Sequence, residues 1–389
     1  MKKLFYFAAA AVALAACAKN EVIPVNSGEN QEITFNVAPK TKGTVPSNDP
    51  SYTVPSNDPR YFNEANHFVS YAYFRGEGNK WPGTVGQIYI DAADISFAEN
   101  KWKEAGSTYY WPKSDKSSLT FFAWSTNSAS ITLAGDAEVS CDSKSGISVS
   151  RYDVTQNENV DLLVADVAAN KNANEDIYSH NGVPTLFRHK PSYLIFKVKT
   201  ATNYASAGKE FALKSIKILG VDAKGTYSQN ATATNSDDSY NTVGSWEVTD
   251  SKAAQTYFDV TDRTDPVVFG AADITLESDD NFKGSVKQKY YLPQTIDAIS
   301  GDPSSKTNYT IEVVYTIKTT EPYPKTSTST ETTETVTKYI KASEIYGEKW
   351  EINKKYTCTL TFSLNEILWD PAVENWDEVD IPTSGLITI

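Results

Sequence analysis

The sequence predicts an all-β chain built from β-sandwiches. Three observations carry this. β-branched and aromatic residues are abundant, with 23 Tyr against a single Met, and such residues favour pleated, half-buried strands. Many short apolar runs recur between Gly, Pro, Asn, Asp and Ser turn clusters, the spacing of sandwich strands. After residue 20 no long Leu/Ala/Glu/Lys-rich stretch has a helical period. At 389 residues the chain favours two domains. The expected division is 1–16 signal peptide, 17–30 tether, 31–182 first sandwich and 183–389 second sandwich.

The amino terminus reads as an export signal. Lys2 and Lys3 form a positive start, Leu4 to Ala13 an apolar stretch, and Leu14-Ala15-Ala16-Cys17 matches a bacterial lipobox. The stretch is too short to span a bilayer and marks a removed signal peptide. Cleavage before Cys17 leaves a thiol for lipid attachment. Acyl chains then anchor the protein, since each buried CH₂ contributes roughly 0.8 kcal/mol. Residues 18–30 are polar and suit a tether.

Glu32 to Lys42, EITFNVAPKTK, is the stretch around which the chain is organised. Ile33, Phe35 and Val37 alternate with Thr34 and Asn36, the pattern of a strand with one buried face. Pro39, Lys40, Thr41, Lys42 and Gly43 cannot continue a sheet and predict an exposed loop open to a trypsin-like protease. A tandem duplication follows, with TVPSNDPSY at Thr44–Tyr52 and TVPSNDPRY at Thr53–Tyr61. Its Pro-Ser-Asn-Asp-Pro units are turn chemistry.

Strands are then expected at Phe68–Phe74, Gln87–Ile90, Ile95–Phe97 and Leu119–Trp124, the last (LTFFAW) of a fully buried type. Weaker strands are expected at Ile131–Leu133, Val139–Cys141 and Ile147–Val149, followed by DLLVAD at Asp161–Asp166. A second series opens with Pro184–Phe187 and Tyr193–Val198. Phe211–Val221 alternates, with Leu213, Ile216 and Ile218 as core. Gly225–Asp238 reads as loop, then Trp246–Val248, Tyr257–Val260, Val267–Gly270 and Lys289–Leu292 as strands. Tyr309–Lys318 and Thr335–Ile340 predict a hairpin across a Thr/Ser-rich linker, Thr319–Glu334. Tyr356–Leu364 alternates again.

The formal net charge of −13 argues against nucleic acid and anionic membrane surfaces as partners. Of three Cys, one belongs to the export signal; Cys141 and Cys358 read as separate core residues, with a bridge between them left open. The three His, His67, His180 and His189, have no metal-ligand spacing. No nucleophile elbow, phosphate loop or dinucleotide fingerprint is present, and no two carboxylates stand out for catalysis. No catalytic residue, metal or cofactor is therefore expected. The pairs Asp237-Asp238 and Asp279-Asp280 read as solvated loop charge. Trp81, Trp102 and Trp246 are either core or sugar-stacking residues.

Taken in order, LAAC, ITFNVAPKTKG, YYWPK with LTFFAW, DLLVAD, LFRHKPSYLIFKV, NKKYTCTLTFSL and WDPAVENW resemble the fimbrillin family of Bacteroidales type V pilins over nearly the whole chain. The resemblance implies two transthyretin-like sandwiches and an outer-membrane lipoprotein precursor that matures into a cell-surface fimbrium with a role in adhesion. It implies cleavage by a trypsin-like protease just past the first strand, and filling of the opened groove by a strand of another fimbrial subunit. Many family members carry Arg at the cut site. Here Lys40 and Lys42 occupy it, and the first Arg after the signal is Arg60, so these three residues are the processing candidates.

Removing Ile33, Phe35 and Val37 would uncover roughly 5–9 kcal/mol of apolar burial and a row of unpaired backbone groups. The candidate donor strand is 378–389, whose alternate residues include Val379, Ile381, Ile387 and Ile389. The same segment also reads as the last strand of its own domain. Tip and anchor subunits, or a non-polymerising glycan-binding lipoprotein, are the alternative readings.

Overall fold

The computed structural model describes residues 31–39, 62–114, 116–173, 182–230, 244–263, 265–296 and 309–375. The first half comprises β1 (Phe35–Pro39), β2 (Phe68–Arg75), β3 (Gln87–Ala98), β4 (Lys101–Glu104), β5 (Ser118–Ser125), β6 (Glu138–Asp142), β7 (Gly146–Asp153), β8 (Leu163–Ala165) and β9 (Ala168–Lys171). Then come β10 (Val183–His189), β11 (Ser192–Thr200), β12 (Lys209–Ser228), β13 (Ser245–Asp259), β14 (Val267–Phe269), β15 (Ile274–Thr275) and β16 (Tyr290–Tyr291). The chain continues through β17 (Thr310–Glu321), β18 (Thr330–Lys341), a short helix α1 (Ala342–Tyr346), β19 (Lys354–Phe362) and β20 (Ile367–Asn375). The all-β class expected from composition is what the chain adopts.

The first sheet has eight strands in the order β2-β3-β4-β1-β10-β8-β5-β9, and β2 also pairs with β5. The path from β2 round to β5 therefore closes on itself, which hides strand edges that would otherwise be open. Its interior holds Ile33, Phe35, Phe68, Ile95, Trp102, Trp111, Phe121 and Phe187. β5 is buried on both faces, as its unbroken apolar run predicts. Leu119, Phe121 and Ala123 enter this core. Phe122 and Trp124 point the other way, into a second cluster with Ile147, Val149 and Tyr227.

The second half is a sandwich of two facing sheets. Leu194, Phe196 and Val198 of β11 and Tyr356, Cys358, Leu360 and Phe362 of β19 supply one wall. Phe211, Leu213, Ile216 and Ile218 of β12 and Ile311, Val313, Tyr315 and Ile317 of β17 supply the other. Strict alternation on β19 puts each core residue opposite a solvent-facing threonine or lysine, the period-2 rule at work.

Several local expectations differ from the structure. The two runs at 87–90 and 95–97 are one strand, β3, kinked at Ala92, which has φ 50°. Trp246–Val248 and the expected run from Tyr257 belong to one strand, β13, which ends at Asp259. Gly225–Ser228 are strand rather than loop, because β12 runs on to pair with β7. Half of the Thr/Ser-rich linker is strand, at Thr319–Glu321 and Thr330–Glu334. β17 and β18 stay in register from Thr310↔Lys341 to Glu321↔Thr330, since a ladder of β-branched threonines is a good strand even when both faces are solvated. β10 begins one residue after the expected boundary at 182, yet it pairs within the first sheet, between β1 and β8.

Candidate functional site

The slot that holds the first strand is built from both edges. On one side β1 runs parallel to β10, from Phe35↔Val183 to Pro39↔Phe187. The Val183 N–H donates to the Thr34 carbonyl at 2.7 Å. On the other side Phe35 is opposite Trp102 of β4. The Ile33 N–H donates to the Tyr109 carbonyl at 2.8 Å, and the Trp111 N–H donates to the Gln31 carbonyl at 2.9 Å. A parallel neighbour needs a long crossover, and most of the first half is that crossover.

The side chains obey the predicted alternation. Ile33 and Phe35 are 3% and 5% exposed, and Val37 packs partly buried on the same core. Phe35 meets Phe121 edge to face at 5.9 Å. Phe62, from the segment before β2, stacks on Phe187 of β10 at 5.0 Å. Phe187 in turn lies 5.4 Å from Phe68. The slot is thus an aromatic box with an aliphatic extension.

Gly182 shapes the slot from the backbone side, at φ 81°. A Cβ there would sit 2.7 Å from the Phe35 carbonyl carbon and 2.8 Å from the Thr34 oxygen. Only glycine combines that conformation with that approach. Sequence reasoning missed this residue; the Asn181-Gly182 pair before a strand-like run was the available signal. It also missed β10 as the partner, together with Phe68, Phe121 and Trp102 as walls.

β10 is itself held by charge. Arg188 donates from Nε and Nη2 to the two Asp166 carboxylate oxygens at 2.6 and 2.7 Å. His189 Nδ1 lies 2.7 Å from Asp161, which also accepts from Asn127 at 2.9 Å. His189 is thus a structural member of the wall beside the slot. His67 pairs with Asp94 on the surface.

The remaining predicted residues separate into three groups. Cys17, Lys40, Lys42, Arg60, His180, Asp237, Asp238 and the donor candidates Val379, Ile381, Ile387 and Ile389 lie outside the described residues. Trp81 and Trp102 are core, and Trp246 is partly buried with its indole N–H donating to the Lys190 carbonyl, so none offers a sugar-stacking face. Asp279 and Asp280 are engaged in a turn, accepting from the Asn281 N–H and from Lys283.

Cys141 and Cys358 are both free thiols. Burial, with Asp370 nearby, pushes Cys358 up to about 12, and burial also raises Cys141. Among the described residues no group of three or more His, Cys, Asp or Glu is placed to hold a metal ion. None of their helices is long and apolar enough to cross a membrane.

β20 forms one edge of the sheet β15-β11-β19-β20. Its register with β19 places Trp369 opposite Leu360 and Val373 opposite Tyr356. The β19 partners are buried, yet Trp369 and Val373, on the same face, are 37% and 53% exposed. The apolar face of the sheet therefore extends past its cover where the chain leaves toward residue 376.

A search of curated proteins found no match. A family model described as fimbrillin-like matches residues 76–376. Among solved structures, a fimbrial protein from Bacteroides vulgatus is similar, at 16% identity and a TM-score of 0.50, over 79% of this chain and 92% of that one. A putative cell adhesion protein from Bacteroides uniformis is similar at 18% identity and a TM-score of 0.40, over 89% and 98% of the two chains. The tip fimbrial protein Mfa3 from Porphyromonas gingivalis, with a C-terminal truncation, is similar at 7% identity and a TM-score of 0.31, over 80% and 94%. With a family model spanning most of its length, this chain belongs to the fimbrillin-like family.

Proposed function

We propose that the chain is a non-enzymatic structural subunit of a cell-surface fimbria that serves adhesion. It is exported as an outer-membrane lipoprotein acylated at Cys17. A trypsin-like protease cuts at Lys40, Lys42 or Arg60, β1 leaves, and a strand from another subunit takes its place. The observation that carries the reading is the place of β1. Its Phe35 is buried, as is Ile33 just before it, and in the sequence it lies between a lipobox and a lysine-bearing segment. Removing it would orphan the backbone of β10 and of Tyr109–Trp111 along one continuous slot, an open template for strand addition. The segment 378–389 is the donor; it follows β20, whose outer edge has no strand partner among the described residues. In this reading the two sandwiches divide after His189, so that β10 stays with the slot it lines.

The test is N-terminal sequencing of protein from sheared surface fibres beside the membrane-bound form. A new terminus at Thr41, Gly43 or Tyr61 in fibres, with subunit ladders that resist SDS, is the expected result. A lipidated Cys17 in every fraction and no ladder would overturn the stalk-subunit reading and leave an anchor or a non-polymerising lipoprotein.

A further inference from the structure

The far end of the second sandwich carries a cavity of about 380 Å³. It lies where β12 begins, β17 ends and β18 starts, closed on one side by β14 and by the turn between β11 and β12. The other end of β12 pairs with β7 of the first half. At ~3.3 Å per strand residue, the pocket and that junction are up to roughly 60 Å apart along β12. The pocket is therefore remote from the β1 slot and is not part of it.

Its walls combine rings and charge. Tyr323 is 49% exposed and Val268 is 43% exposed. Tyr204 lies 5.2 Å from the Phe211 ring, on the pocket floor. Tyr323 is held in place rather than loose. A Cβ on Gly208 would meet Tyr323 Cβ and Cδ2 at 2.9 Å, so the side chain lies directly against the β12 turn. The Thr320 N–H donates to the Gly208 carbonyl at 2.9 Å and fixes the two segments together.

The charges are unevenly matched. Three lysines and two glutamates line the pocket, a local excess of one positive charge on a chain of net −13. Glu331 takes Lys325 at 2.7 Å and Lys318 at 3.5 Å. Lys209 is half-buried and donates to the Thr319 hydroxyl at 3.2 Å, with no carboxylate partner among the described residues. A partly desolvated ammonium without a counter-ion favours an anion. Glu210, the next residue, also lines the cavity and offers an acceptor for hydroxyl groups.

We propose that this pocket binds an acidic saccharide, with a pyranose face against Tyr204 and Tyr323 and its carboxylate toward Lys209. Aromatic rings supply apolar faces that sugar C–H groups stack on, and each tyrosine keeps a polar tip for hydroxyls. A concave site with an apolar wall and a few convergent polar groups is the usual form of a small-ligand site. The proposal does not depend on exchange of β1.

The experiment is saturation-transfer NMR on the full chain with two matched pairs of probes at about 10 mM, a concentration suited to weak single-sugar binding. The pairs are 3′-sialyllactose against lactose, and methyl glucuronide against methyl glucoside. Transfer to the acidic member of at least one pair, about fivefold or more above its neutral partner, is expected. Tyr323→Ala and Lys209→Gln should each reduce that signal about fivefold. Circular dichroism of both variants checks that the fold is intact; both side chains reach solvent, so refolding defects are separable from lost binding. No transfer to any of the four sugars, equal transfer to the neutral partners, or an unchanged signal in Tyr323→Ala would overturn the proposal.

Discussion

Phe35 of β1 meets Phe68 of β2 edge to face, with ring centroids 5.4 Å apart and planes inclined at 85°. The two strands are not hydrogen-bonded neighbours; their rings meet across the interior of the closed sheet. This contact ties the first strand to the far wall of its slot. Phe35→Ala should therefore destabilise the first half by about 3–5 kcal/mol, the range for a buried phenylalanine that leaves a cavity. Phe35→Leu should cost less than about 2 kcal/mol. Urea unfolding followed by tryptophan fluorescence reads both, since Trp102 and Trp111 share that core.

Gly182→Ala tests the backbone side of the slot. The new methyl would collide with the Phe35 main chain, and the positive φ would be strained as well. A loss of about 2–4 kcal/mol is expected, with faster tryptic cutting on the amino-terminal side of β2. Unchanged cutting kinetics would mean that Gly182 does not govern how β1 is seated.

Asp166→Ala removes the two-point clamp on Arg188. The guanidinium and carboxylate are only 17% and 21% exposed, so the variant leaves a half-buried cation short of a partner. About 1–3 kcal/mol should be lost. Because Arg188 lies on the β1 partner strand, hydrogen exchange of β10 and β1 amides should quicken together, while β17 amides stay protected.

Cys358 should resist alkylation in the folded chain. Its thiol is fully buried in the second sandwich, and burial raises its pKa to about 12. The thiolate is the nucleophile, so at pH 8 only about 1 in 10,000 copies would be reactive even with access. Reactivity rises as pH climbs toward 12 and is fully released by denaturant. Iodoacetamide labelling with mass spectrometry reads this. It also counts two free thiols at Cys141 and Cys358; a mass short by one bridge would contradict that count.

The elements that alternate on their own were legible in the sequence. Ile33, Phe35 and Val37 declared their buried face, and so did Tyr356, Cys358, Leu360 and Phe362, because period 2 is a local property. The pairing of β1 with β10 was not, since about 150 residues separate Phe35 from Val183 and register between them is set by the core they share. Turn-forming residues misled most where a long strand bends. β12 looked finished near Val221, yet it continues through register shifts between Ile218 and Val221 and between Asp222 and Lys224. A bulge carries a strand through residues that elsewhere would end it. The tryptophans gave the opposite lesson. Trp81 and Trp102 sit among turn residues or at strand ends, yet Trp102 is interior to the closed sheet and Trp81 is buried against Phe122 in the second cluster.

β12 has a mechanical consequence. One continuous strand is laddered to β17 and β14 at one end and to β7 at the other, with β13 alongside for most of its length. The ladder bonds lie across the strands. A tensile load transmitted from one half to the other runs along β12 and must shear these rungs together, rather than peel them one at a time. Under pulling, β12 should therefore make a stiff link between the two halves.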